Sequence, residues 1–96
     1  MKFYIYAIKD NAKGSYLQPF FVPFFQKIED VIVDFGRNLN AAQSVLTQVP
    51  EDFDLFCIGE FYDETGVFNP LTPALVCKCA DLIKEKKEDV GNTEIN

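Results

Sequence analysis

The sequence predicts an α+β fold: a small antiparallel sheet from two β-hairpins, with an amphipathic helix between them and a candidate helix at the C-terminus. Three observations carry this reading. Two runs rich in aromatic and β-branched residues, Lys2 to Lys9 and Phe53 to Phe61, are each followed by a turn that opens on aspartate and closes on glycine, Asp10 to Gly14 and Asp63 to Gly66. Between them the apolar period lengthens, and Ile28, Val31, Ile32, Phe35 and Leu39 recur at helical spacing. The composition, 48% hydrophobic and 15% aromatic, is that of a folded chain, not a disordered one.

The elements follow in order. In KFYIYAIK, Phe3, Ile5 and Ala7 line one strand face and Tyr4, Tyr6 and Ile8 the other. Ser15 to Phe21 reads as the return strand, placed at an edge because Pro19 and Pro23 lack a backbone donor. Phe24 opens the helix, with Pro23 at its first turn, and the helix is expected to run past Gly36 to about Asn38. Asn40 to Gln48 is read as a loop with a short extended piece at Val45 and Leu46, ended by Pro50. The run after Pro50 is apolar on both faces, which predicts a central strand covered on both sides. Phe53, Leu55, Cys57, Gly59 and Phe61 would share one face, and Asp54, Phe56, Ile58, Glu60 and Tyr62 the other. Asn69 to Pro73 is read as breaking the second hairpin, and residues 74–88 as a strand, a helix or one passing into the other. Residues 1–88 make a single globular domain and 89–96 a flexible tail.

Charge and chemistry narrow the function. The net charge is −6, unevenly spread: residues 1–43 carry five Lys and Arg against four acids, residues 44–96 four Lys against eleven acids. Strong non-specific DNA binding is therefore disfavoured, and a nucleic-acid surface has to be local. No apolar run approaches the ~18 residues of a membrane span, and no signal peptide opens the chain, so a soluble intracellular protein is expected. Three cysteines, Cys57, Cys77 and Cys79, are too few and too odd for a disulfide framework. With no histidine in the chain, they have no base for nucleophilic chemistry and fall short of the usual four zinc ligands. Asp54 and Glu60, six residues apart on one strand, stand about 20 Å from each other, too far for paired acid and base work. The chain reads as a non-enzyme without a metal or cofactor.

Aromatic surfaces remain. Tyr4 and Tyr6, with Tyr16 on the return strand and Lys2, Lys9, Lys13 and Arg37 nearby, suit stacking of nucleic-acid bases on a sheet with cations at the phosphates. The same tyrosines also suit packing of a sheet under a helix. Phe20, Phe21, Phe24 and Phe25 form a greasy segment suited to a protein partner or to self-association.

Four stretches carry a family resemblance: Tyr4 to Asp10 (YIYAIKD), Gln18 to Pro23 (QPFFVP), Asp34 to Arg37 (DFGR) and above all Pro50 to Phe61 (PEDFDLFCIGEF). Over about residues 3 to 70 the chain resembles the small nonstructural protein of gokushovirus-type microviruses, which are single-stranded DNA bacteriophages. The resemblance implies a non-virion protein of the host bacterial cytoplasm, described as DNA-binding or as assisting single-stranded genome synthesis, with no catalytic residues to carry over. The chain departs from the family at Phe24 and Phe25, where a polar helix entry is expected, and this favours a homo-oligomer. Two functions follow as expectations. One is an accessory of viral single-stranded DNA replication or packaging that binds the strand itself. The alternative is a module that engages a phage or host protein through its Phe-rich or acidic surface.

Overall fold

The structure, a computed structural model, describes residues 1–42 and 44–83. Five strands, β1 (Lys2–Asp10), β2 (Ser15–Tyr16), β3 (Phe20–Pro23), β4 (Phe53–Tyr62) and β5 (Val67–Lys78), form one antiparallel sheet in the order β2-β1-β4-β5. β3 also pairs with β1, so the return strand is split in two rather than continuous from Ser15 to Phe21. The helix α1 (Ile28–Ala42) packs on one face, and a single turn, α2 (Val45–Gln48), follows it. This is the α+β arrangement expected.

Both hairpin turns form with glycine in the left-handed region, but the aspartate organises only the first; in the second the Gly66 amide closes on the Tyr62 carbonyl at 2.8 Å and the Asp63 carboxylate pairs with the Met1 ammonium. Asp10 Oδ1 accepts hydrogen bonds from the amides of Ala12 and Lys13 at 3.1 and 3.2 Å, and the Gly14 amide closes the turn on the Asp10 carbonyl at 2.8 Å. Gly14 and Gly66 take φ of 74° and 72°, a region open to glycine at little cost.

The helix starts later and ends later than the periodicity suggested. Pro23 closes β3 instead of opening α1, and Phe24 to Lys27 form the turn between them. Gln26 bridges this turn to the helix by donating from Nε2 to Asp34 Oδ2 at 3.2 Å. Glu29 and Asp30 in the first turn suit the positive end of the helix dipole. Val31, Phe35 and Leu39, spaced by four, point inward, whereas Ile28 is exposed. Gly36 lies inside the helix facing Leu82, and Asn40 Nδ2 donates to the Leu82 carbonyl at 2.7 Å, tying the end of the described chain to α1. Val45 to Gln48 is a helical turn, not the extended piece expected.

Two clusters make the core. Tyr6, Val22, Val31 and Leu55 form one; Leu39, Phe53, Cys79 and Ile83 form the other; Ile8 and Phe35 pack against both. Both clusters lie on the helix side of the sheet; Ile5 and Ala7, on the opposite face, are buried as well.

β4 is central, flanked by β1 and β5, as its composition predicts, but the described helices pack on one of its faces and not on both as expected. Its strict alternation is broken, however. Tyr6 is opposite Cys57 and Ile5 is opposite Gly59, so Ile58 is an extra residue in a bulge. Beyond it the faces exchange: Phe53, Leu55 and Cys57 share the helix side with Glu60, while Gly59 and Phe61 join Asp54 and Phe56 on the other. β5 continues as one edge strand through Pro70 and Pro73, but its pairing with β4 is interrupted where a break was expected: Pro70 is opposite Gly59 and Ala74 opposite Cys57, leaving residues 71–73 against Ile58 alone. After Lys78 the chain makes a 3₁₀ turn, Cys79–Leu82. The remainder of the candidate C-terminal helix, residues 84–88, and the tail at 89–96 lie outside the described residues.

Candidate functional site

One helix covers one face of the sheet; the other stays open towards its two ends, while Ile5 and Ala7 are buried at its middle. That open face has two chemically different ends. At the first end, Lys9, Asp54 and Lys78 form a row across β1, β4 and β5. Lys9 is also opposite Tyr16, and its ammonium lies over the Tyr16 ring, 5.7 Å from the centroid. Tyr16 meets Phe56 edge to face at 5.9 Å and is 40% exposed. Asp54 accepts a hydrogen bond from Asn11 Nδ2 at 2.9 Å, and Lys13 is exposed in the adjoining turn. Aromatic surface and cations therefore stand together, which is the arrangement a stacked, charged strand of nucleotides requires.

At the other end four phenylalanines form a contiguous patch. Phe61 is 5.0 Å from Phe68, 5.5 Å from Phe21 and 6.3 Å from Phe3, ring centre to ring centre. Phe21 is 46% and Phe68 61% exposed. Beyond the patch, the N-terminal ammonium of Met1 pairs with Asp63 and Glu64, whose hydrogen bonds raise its pKa.

Of the residues proposed from sequence for nucleic acid, the structure brings Lys9, Lys13 and Tyr16 together and separates the rest. Tyr6 is 5% exposed and belongs to the core beneath α1, so its ring is not available for stacking. Lys2 and Tyr4 lie on the helix side of the sheet, the ammonium 4.9 Å from the ring centre and 3.6 Å from Glu60 Oε2. The hydrogen bond to Tyr4, helped by the charge of Glu60, holds the Lys2 pKa above its usual value. Glu60 is held below its usual range, first by the Asn69 hydrogen bond of 3.2 Å and then by the charge of Lys2. Arg37 is exposed on α1 and engages Asp34 at 3.3 Å. Phe56 and Lys78 were missed by sequence reasoning, because their neighbours are set by strand register and not by spacing along the chain.

The phenylalanine segment also divides. Phe20 faces the helix, stacked on Phe35 at 6.3 Å, while Phe21 belongs to the open patch. Phe24 and Phe25 sit in the turn, exposed and edge to face with each other at 5.8 Å. A single Phe20 to Phe25 surface does not form.

The three cysteines are free thiols. Burial raises the pKa of each, that of Cys79 to about 12, so all favour the protonated, weakly nucleophilic form. Among the described residues no group of three or more Cys, Asp or Glu is placed to hold a metal ion. No described helix is long and apolar enough to cross a membrane.

Comparison with curated proteins and with solved structures returned no match. A protein-family model does match, over residues 3–82, a span that takes in every strand, α1 and the closing 3₁₀ turn. The chain therefore belongs to the Phage ORF5 protein family of bacteriophage proteins.

Proposed function

We propose that this small phage protein is a non-enzymatic accessory of viral single-stranded DNA replication or packaging in the host cytoplasm, and that it contacts the strand through the lysine end of its open sheet face. The observation that carries the reading is the pairing of Lys9 with Tyr16 and Phe56, with Lys78 in the same row. Bases stack on exposed aromatic rings irrespective of sequence, and lysines at the margin meet the phosphates. The resemblance to microvirus nonstructural proteins supports the type of genome. The −6 net charge limits the contact to this one local surface and favours a weak, readily released complex.

The test is a titration of a fluorescently labelled oligothymidine at low salt, read by anisotropy. Binding is expected, and it should weaken in Lys9→Gln/Lys78→Gln and in Tyr16→Ala while Arg37→Gln leaves it unchanged. Absence of binding, or equal binding by all these variants, removes the proposed surface.

A further inference from the structure

We infer that Asp54 makes the lysine end selective for bases that carry an exocyclic amino group, namely cytosine, adenine and guanine, over thymine. The inference rests on the single-stranded DNA contact proposed for that end and adds which part of the nucleotide is read there. Strand register carries it. Two consecutive rows of the open face lie side by side: Ala7, Phe56 and Leu75 in one, Lys9, Asp54 and Lys78 in the next. The first row is apolar and the second charged, about 7 Å apart along the strands. A base laid on the Phe56 ring, with the exposed Tyr16 and Leu75 beside it, turns one edge to the charged row. The central member of that row is a carboxylate.

Three features give this carboxylate a role in recognition. First, it is not engaged by the lysines. Lys9 and Lys78 are its cross-strand neighbours, yet among the described residues Asp54 forms no ion pair with either. Second, it is held in place. Asn11 Nδ2 donates to Asp54 Oδ2 at 2.9 Å, and the Asn11 amide donates to the Asp52 carbonyl at 2.9 Å, so the first turn anchors the side chain. Among the described residues no hydrogen bond reaches Oδ1, which keeps its lone pairs for another donor. Third, its sign orients the strand. A carboxylate at the centre of the row repels phosphate and the ammonium groups at its sides attract it, so the backbone passes over Lys9 or Lys78 and the base turns to Asp54.

Chemistry then selects the base. Stacking alone accepts every base, because each has a π-face. An ionised carboxylate accepts hydrogen bonds and donates none. Cytosine, adenine and guanine each present an amino donor to it, whereas thymine presents carbonyl oxygens on either side of its one ring N–H. In a single strand these edges are unpaired and open to such a contact.

Anisotropy titrations of the full chain at low salt and neutral pH, with labelled oligodeoxycytidine and oligothymidine of equal length, test this. Wild type is expected to bind oligodeoxycytidine at least about fivefold more tightly. Asp54→Asn keeps the side-chain size and an oxygen for Asn11, and should bring the ratio to one or below while affinity for oligothymidine rises. Glu29→Gln, the same change of charge on α1, should leave the ratio at its wild-type value. The wild-type protein gives an independent measure by NMR: the Asp54 carboxyl carbon should shift on addition of oligodeoxycytidine and stay in place with oligothymidine. Equal binding of the two strands by wild type, a ratio that survives Asp54→Asn, or an Asp54 signal that moves with neither strand overturns the inference. Lysine-dependent binding without base preference would leave the DNA contact standing and refute the role of Asp54, whereas no binding of either strand removes both.

Discussion

Salt dependence is the most direct probe of the contact with single-stranded DNA proposed for the lysine end. Lys9, Lys13 and Lys78 are the cations at that end, and each neutralised phosphate on a single strand contributes about −0.7 to the slope of log K against log salt. Three contacts give a slope of about −2, so a rise from about 50 to 200 mM salt should weaken binding roughly 20-fold. The rest of the protein, net negative, is repelled by the strand most strongly at low salt, which flattens the slope and makes this figure an upper bound. Stacking behaves differently: loss of the Tyr16 or Phe56 ring removes about 1–3 kcal/mol with little effect on the slope. Anisotropy titrations at five salt concentrations for wild type, Lys9→Gln and Tyr16→Ala separate the two contributions. Lys9→Gln should reduce the slope by about 0.7 and Tyr16→Ala should shift the line without tilting it. A slope as steep as that of a large basic groove, or one that responds to Arg37→Gln but not to Lys9→Gln, refutes the assignment.

Other predictions concern the framework. Gly14→Ala and Gly66→Ala meet no atom within 4 Å, so each should lose only the backbone cost of a left-handed alanine, about 1–2 kcal/mol, read from urea midpoints. Cys79, fully buried, has its thiol pKa raised from 9.0 to about 12, so its contribution is complete below pH 9 and is lost as pH rises towards 12. Over that window stability should fall by about 1.4 kcal/mol per pH unit more in wild type than in Cys79→Ala, whatever the latter's starting stability. Asn69→Ala should move the Glu60 pKa back up towards its ordinary value, measurable by NMR titration of the carboxyl carbon.

Much of the fold is legible in the sequence because it depends on local chemistry. Asp10 and Gly14 announce their turn through hydrogen bonds made within five residues, and the Val31, Phe35, Leu39 stripe announces the helix face. What the sequence conceals is register. Alternation assigns Phe61 to the same face as Leu55, and the Ile58 bulge transfers it to the other. The signal is slight: Gly59, where an added Cβ would stand 3.1 Å from the Asn69 carbonyl oxygen, marks a close approach of β4 and β5 that only the pairing explains. The candidate site suffers in the same way. Tyr4, Tyr6 and Tyr16 look like one group along the chain, yet odd and even positions of β1 face opposite sides, and only Tyr16 reaches the open one. Pro70 and Pro73 mark where the pairing with β4 is interrupted, but whether the strand itself ends there depends on its being central or at an edge, and composition alone does not decide that.

The bulge also accounts for where this protein can act. A strand apolar on both sides demands a cover on both sides, and the described chain supplies one main helix. Before Ile58 the helix side takes Phe53, Leu55 and Cys57 into the core, and the open side keeps Asp54 and Phe56 beside lysines. After it, the helix side takes the Lys2–Glu60–Asn69 network, and the open side takes Phe61 and its three phenylalanine neighbours. One inserted residue thus divides a single sheet face into a polar aromatic half and a purely apolar half. Each half has a different chemistry, an aromatic ring and lysines at one end and clustered phenylalanines at the other, set by one residue of register.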